Sequence, residues 1–290
     1  MRILAKDLSY TYSPKSKDLA VRAIKGINLN IEEGDFFGII GKTGSGKSTF
    51  VQHLNGLIKV QNGGGNLSIG EFDLTDKKCD FKTLRAKIGM VFQYPEYQLF
   101  AETVFNDVAF GLKNYNPSAT SEEVEKAVKN ALEEVGLNYE EIKDKSPFEL
   151  SGGQKRRVAI AGVIVTRPEV LVLDEPAAGL DPKGKRDFIK LLKKLHGEFV
   201  KTIVIVSHDM DIVSENCNKI AVFKDGEVLS VGSPIEIFGE KERVKEFGID
   251  LPSTAKLTLK LREKYPDFTC DLTVDGFINA YLEAKEGGKL

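Results

Sequence analysis

Phe36-Phe37-Gly38-Ile39-Ile40-Gly41-Lys42-Thr43-Gly44-Ser45-Gly46-Lys47-Ser48-Thr49 is the stretch on which the fold turns. Phe36 to Ile40 is apolar throughout, as a central strand covered on both faces requires. From Gly41 onward the residues follow G-x-x-x-x-G-K-[ST], the spacing of a phosphate-binding loop between a strand and a helix. The chemistry accounts for the residue types. Glycines let backbone N–H groups turn inward around phosphate oxygens with no Cβ in the way. The N-terminus of the helix that follows, expected over about Lys47 to Asn55, adds positive potential. Lys47 is placed to reach β- and γ-phosphates, and the Ser48 hydroxyl to bind Mg2+.

The complement lies downstream. In Leu171-Val172-Leu173-Asp174-Glu175 an apolar strand ends in two acids. Asp174 can hold the cation already touched by Ser48. Glu175, the next residue, points differently and is placed to polarise an attacking water as general base. Ile88 to Phe92 and Thr202 to Val206 are further apolar runs suited to parallel strands. Arg2 to Tyr12 and Ile24 to Ile31 alternate partially, as an antiparallel pair with one wet face would. Lys219 to Phe223 and Glu227 to Val231 read as a hairpin around Asp225-Gly226. From about Tyr94 to Arg167 the spacing is helical, and Thr120-Ser121-Glu122-Glu123 opens a helix striped by Val124, Val128, Ala131, Leu132 and Val135. Pro182 to Gly197 is helical again. Beyond residue 245 two amphipathic helices are expected, separated by Pro266. The fold class is α/β, with a helical insertion between the second and third core strands and a small helical tail.

Composition bounds the function. Of 290 residues, 41% are apolar and 29% charged, enough for a substantial core. The net charge of −2 gives no basic field for nucleic acid. No apolar run reaches 18 residues, and Met1-Arg2-Ile3 does not open a signal peptide. The expectation is a cytosolic protein whose membrane role comes through a partner. Cys79, Cys217 and Cys270 are widely separated and form no CxxC or Cys/His cluster, so neither a disulfide framework nor a zinc site is indicated.

Leu150-Ser151-Gly152-Gly153-Gln154, between the phosphate loop and the Asp174-Glu175 pair, resembles the signature of ATP-binding-cassette (ABC) ATPases. The resemblance covers about residues 1–240 and implies a P-loop NTPase (RecA-like) core with an antiparallel β subdomain and a helical ABC subdomain. The implied division is an ATPase domain over 1–244, its helical part about 94–167, and a C-terminal helical extension over 245–290. Tyr12 resembles the aromatic that stacks on adenine, with Tyr10 as a competing candidate. Gln93 resembles the Q-loop glutamine, which touches Mg2+ or the attacking water. Ala178-Gly179-Leu180-Asp181 matches the D-loop, and His208 the switch histidine that meets the γ-phosphate. His53 and His196 fit no motif and read as surface or packing residues.

On this resemblance, ATP with Mg2+ is held by Tyr12, Gly41, Lys42, Thr43, Gly44, Ser45, Gly46, Lys47, Ser48 and Thr49 of one subunit. Ser151, Gly152, Gly153, Gln154 and Asp181 approach it from another. Glu175, His208 and Gln93 are the catalytic candidates; Ser48, Gln93 and Asp174 are the metal candidates. One departure from the family is Ala177, where most members have threonine.

Gln93-Tyr94-Pro95-Glu96-Tyr97-Gln98-Leu99-Phe100 and Thr103 to Gly111 resemble the ATPases of energy-coupling factor (ECF) importers, which take up vitamins or transition-metal ions. Gln154 to Gly162 does too, and the wording is close to the second of their two paralogous ATPases. The implied partners are a paralogous ATPase subunit in a heterodimer, a homodimer being the alternative, a transmembrane coupling subunit and a membrane substrate-binding subunit. The implied place is the cytoplasmic face of the cell membrane, with no nucleic acid bound. Glu96, Glu102 and Asp107 are candidate acidic partners for the coupling subunit. An exporter or conventional importer ATPase is the other transport reading. Non-transport ABC proteins usually carry coiled coils, a second cassette or basic extensions, none of which is present.

Overall fold

The computed structural model describes residues 1–13 and 19–287. The chain begins with Ile3–Tyr12 (β1), Val21–Ile31 (β2) and Phe36–Gly41 (β3), then Lys47–Leu54 (α1), Asn66–Ile69 (β4) and Phe72–Asp73 (β5). Phe81–Lys87 (α2) leads into Ile88–Val91 (β6). Four helices follow: Val104–Tyr115 (α3), Ser121–Glu134 (α4), Tyr139–Ile142 (α5) and Gly152–Ile164 (α6). Val170–Asp174 (β7), Pro182–Glu198 (α7), Thr202–Val206 (β8) and Met210–Asn216 (α8) alternate, and Lys219–Lys224 (β9) and Glu227–Gly232 (β10) close the second sheet. The tail is helical: Pro234–Phe238 (α9), Lys241–Phe247 (α10), Ser253–Arg262 (α11) and Val274–Glu286 (α12).

The strands form two sheets. One is antiparallel, in the order β2-β1-β4-β5, with Ile3 opposite Ile31 and Ile69. The other runs β10-β9-β3-β8-β7-β6 and is parallel except for β10. Every residue of β3, β6, β7 and β8 is buried, so the apolar runs cover both faces of this sheet.

Alternation along the central strands divides the core in two. Phe37, Ile39, Val170, Val172, Val204 and Val206 face the antiparallel sheet and α1. Phe36, Ile40, Leu171, Leu173, Ile203 and Ile205 face the helical side. The Phe50 and Phe223 rings, 5.5 Å apart, tie α1 to β9. Truncating either to alanine would cost about 3–5 kcal/mol.

Local signals fix the helices. Thr120 and Glu123 form a capping box on α4, Ser151 and Gln154 one on α6. The helical segment does not open as a helix at Tyr94. Tyr94 adopts a left-handed conformation (φ 57°) and leads into a 3-10 turn over Pro95–Gln98. Pro95 lacks the N–H and disfavours a helical residue before it. The change in composition near residue 245 falls inside α10, and Val244, Phe247, Ala255 and Leu272 join the same core as α7 and α8.

Candidate functional site

The parallel strands deliver the predicted residues to one edge. In register, Leu173 lies between Val91 and Ile205, and Val206 between Asp174 and Ile39. Each strand therefore ends at the same level, and the residues just beyond are Gln93, Glu175, Ser207-His208 and the loop 41–46. Such a row at the carboxyl ends of a parallel sheet is where this architecture binds ligands.

A cleft of about 710 Å3 opens there, walled by Tyr12, Thr43, Gly44, Gly46, Lys47, Ser48, Thr49, Gln93, Glu175 and His208. Lys47 donates to the carbonyls of Gly41 at 2.7 Å and Lys42 at 2.9 Å, which points its ammonium into the loop. Burial pulls its pKa down, while the charges of Glu175 and Asp174 oppose that. Asp174 is buried, 7% exposed, and the nearby Ser48 hydroxyl and Lys47 favour its charged form. Burial nonetheless lifts Asp174 above the ordinary carboxylate range. Asp174 Oδ1 and Ser45 Oγ are buried without a hydrogen-bond partner in the chain, an unusual state that suits atoms awaiting a ligand.

Glu175 sits just past the strand with φ 51°, a left-handed conformation rare for its residue type. Its Oε1 lies 3.0 Å from His208 Nε2. Burial is the main force raising Glu175; the His208 backbone and Lys47 lower it. Burial first, then Lys47, holds His208 below the usual imidazole value. The loop carrying His208 is pinned: Asp209 N donates to Ser207 Oγ at 3.0 Å, and Lys185 Nζ meets Asp209 Oδ2 at 2.6 Å. The arrangement sets a carboxylate, an imidazole and a lysine around one phosphate-sized cradle, the equipment for activating water next to an anion.

The two tyrosines separate. Tyr12 lines the cleft, with its hydroxyl 3.2 Å from Thr49 Oγ1. Tyr10 turns edge-on to His53, 5.0 Å away, which is fully buried and donates from Nδ1 to the Thr49 carbonyl at 2.7 Å. His196 packs edge-on against Phe36, at 5.9 Å.

Other candidates do not line this cleft. Ser151 to Gln154 form the exposed first turn of α6, and Asp181 caps α7 by accepting from Gly184 N at 2.7 Å. Gly41 and Lys42 border a neighbouring hollow with His208, Met210 and Gly248. Of the acidic candidates on 94–111, Glu96 lies 3.4 Å from the buried Arg156, and Asp107 accepts the amides of Phe100 and Ala101 at 2.9 Å. Both are engaged inside the chain; Glu102 is exposed.

Sequence reasoning missed one wall. Arg22, Ala23 and Lys25 of β2 and the turn Asp225-Gly226 complete the cleft. Gly226 N donates to Ser45 O at 3.1 Å, and a Cβ on Gly46 would lie 2.5 Å from Ala23 O. No local pattern announces these residues, because they arrive by pairing of distant strands.

The ABC transporter family pattern matches residues 24–178. The chain is 46% identical to the energy-coupling factor transporter ATP-binding protein EcfA2 of Clostridium acetobutylicum, over all of both chains. It is 47% identical to EcfA2 of Clostridium perfringens, over 91% of each. Among solved structures, CbiO1 of Clostridium perfringens, part of the ABC transporter complex CbiONQ, superposes with a TM-score of 0.72 at 41% identity, covering 88% of this chain and 97% of that one. The ATP-binding cassette MJ0796, a dimer in a post-hydrolysis state with ADP and Pi, gives 0.70 at 33% identity, over 80% of this chain and 98% of that one.

Proposed function

The chain belongs to the ABC transporter ATPases and, within them, to the energy-coupling factor ATP-binding proteins, and from that premise we propose how its residues hydrolyse ATP and whom they serve. It is the ATP-binding and ATP-hydrolysing subunit of an ECF-type importer.

The loop amides and Lys47 bind the β- and γ-phosphates, and Tyr12 takes the adenine. Glu175 draws a proton from the attacking water, and His208 steadies the γ-phosphate side. The hydroxyl of Ser48 and the unpartnered Oδ1 of Asp174, with Gln93 on the cleft wall, fit Mg2+ as hard oxygen donors. When bound, Mg2+ neutralises charge on the phosphate oxygens.

The single observation that carries the reading is that the phosphate loop, Glu175 and His208 line one cleft, with Asp174 buried beside Lys47, while Ser151-Gly152-Gly153 is exposed and does not line it. That exposed turn serves the nucleotide of a second subunit, so ATP closes a dimer and hydrolysis lets it open. The second subunit is the paralogous ATPase, in a heterodimer.

No helix among the described residues is long and apolar enough to cross a membrane. As an ECF ATP-binding protein, the chain acts from the cytoplasmic face, docked on a transmembrane coupling subunit beside a membrane substrate-binding subunit for vitamins or metal ions. The docking surface surrounds exposed aromatics on 94–111: Tyr97 is 84% exposed, and Phe100 and Phe110 pack edge-on at 4.8 Å. Beside it, a hollow of about 270 Å3 is lined by Leu57, Phe92, Gly111 and Tyr115. Residues 1–244 form the catalytic unit and 245–290 an extension.

Co-expression with the paralogue and candidate membrane subunits, followed by mild-detergent purification, tests this. The expected result is a complex that hydrolyses ATP with magnesium supplied. A chain that copurifies with no membrane protein and splits no ATP overturns it.

A further inference from the structure

The C-terminal extension grips the helix that follows the switch histidine. Asp211, in the first turn of α8, accepts hydrogen bonds from Ser253 N at 2.6 Å and Ser253 Oγ at 2.9 Å. Glu215, one turn further on the same face, stands near the Val274 amide at the start of α12. Two acids four residues apart thus meet the first turns of α11 and α12, where free N–H groups and the helix dipole favour negative charge. The opposite side of α8 is fixed by Met210, Ile212 and Val213 in the core.

The grip is transmitted to the site. Asp209, next to His208, caps α8 by accepting from Ile212 N at 3.2 Å. Any shift of α8 therefore moves the loop that holds His208 against Glu175. The connecting segment also passes close by. Gly248 is left-handed (φ 69°), and a Cβ there would stand 2.9 Å from Lys42 Cε of the phosphate loop. Besides the nucleotide cleft, two hollows border His208, and Asp250 lines both.

We propose that residues 248–274 are a positioning clamp on the hydrolytic site, holding α8 chiefly through Asp211, with Glu215 beside it, so that His208 meets Glu175 in working geometry. Asp211, Glu215 and Ser253 are positioning residues; none lines the nucleotide cleft. The extension thereby has a role in catalysis within its own subunit. This rests on the reading of His208 as the switch.

Steady-state ATPase kinetics of the full chain, assembled with its partner ATPase, test the clamp. Asp211→Asn and Ser253→Ala are compared with Ser253→Thr, which keeps the hydroxyl, and with His208→Ala. Loss of one charged hydrogen bond should lower kcat about 3- to 10-fold. KM for ATP should stay within roughly 2-fold, because phosphate and base contacts are untouched. Ser253→Thr should restore the rate, and melting temperatures should change little, since Ser253 is exposed. Unchanged kcat in Asp211→Asn and Ser253→Ala, with His208→Ala impaired, overturns the clamp alone. So does a fall in kcat accompanied by raised KM and early melting that Ser253→Thr fails to rescue. Normal hydrolysis by His208→Ala would remove the switch assignment itself.

Discussion

His208 Nε2 stands 3.0 Å from Glu175 Oε1, and Glu175 reaches that place only through a left-handed backbone. A glutamate held so costs about 1–3 kcal/mol, which the surrounding sheet must offset. That backbone sets the carboxylate on the cleft wall beside His208. Glu175→Gln keeps the shape and removes the base. It should bind ATP normally and hydrolyse it about 10²- to 10⁴-fold more slowly, accumulating a closed dimer visible by size exclusion. Turnover at the parent rate would show that another group takes the proton.

The same burial makes a stability prediction. Asp174 and Glu175 are both raised above the ordinary carboxylate range, chiefly by desolvation. The folded chain therefore holds these protons more tightly than the unfolded one. The stability they contribute is full below the ordinary carboxylate value and is lost as pH rises through the raised one. When ionised, both sit in a poorly hydrated site. Asp174→Asn and Glu175→Gln should each raise the nucleotide-free melting temperature at pH 7 by roughly 2–4 °C, on the order of 1 kcal/mol. The gain should fade as the buffer is acidified toward pH 4. Variants that melt earlier at pH 7 would mean that Lys47 and Ser48 more than repay the desolvation.

Lys47 lies in the loop with its ammonium on two carbonyls and two carboxylates nearby. Phosphate oxygens offer it a stronger partner than either carbonyl. Lys47→Ala should weaken ATP binding about 10- to 100-fold, the loss of one charge-assisted hydrogen bond. Equilibrium binding of a fluorescent ATP analogue measures this directly, and unchanged affinity would detach Lys47 from the phosphates.

What the sequence could show follows from range. The strand–loop–helix around Gly41 to Thr49 is a local pattern, as are the buried runs 170–173 and 202–206, and each became the element it announced. Capping boxes at Thr120 and Ser151 are equally local. Long-range pairing was illegible: Ala23 and Gly226 reach the loop only because β2 and the β9–β10 turn meet there. So was the grip of Ser253 on Asp211, 42 residues apart. The left-handed Glu175 could not be read either, because glutamate carries no preference for that conformation. Glu96 looked free because the burial of Arg156 beside it is a tertiary fact.

Tyr12 and Tyr10 could not be told apart by spacing, but their surroundings differ. Tyr12 borders the cleft, whereas Tyr10 packs on the buried His53. Tyr12→Ala should lower affinity for ATP by roughly 5- to 100-fold, the range of base stacking on an aromatic ring. Affinity for tripolyphosphate, which has no base, should be unaffected. Competition assays with both ligands separate the contributions, and an equal loss for the two would mean that Tyr12 supports the loop instead.

Gly152 and Gly153 occupy the exposed first turn of α6, and a Cβ at either would meet nothing within 4 Å. Within one subunit these glycines have no steric purpose; alanine there should be neutral or stabilise the helix by about 0.4–1 kcal/mol. A purpose appears only if the bare backbone must approach something outside the chain. A phosphate held by the partner's loop is such an object, because amides at a helix N-terminus bind anions best when no side chain intervenes. Gly153→Ala should therefore melt no earlier than the parent and bind ATP equally well. Its hydrolysis, and the dimer formed with ATP, should fall at least about 10-fold, as for a lost oxyanion contact. Analytical ultracentrifugation with ATP, alongside the ATPase assay, reads both. A Gly153→Ala chain that dimerises and hydrolyses at the parent rate would mean that no phosphate comes near this turn, and that the nucleotide is served by a single subunit.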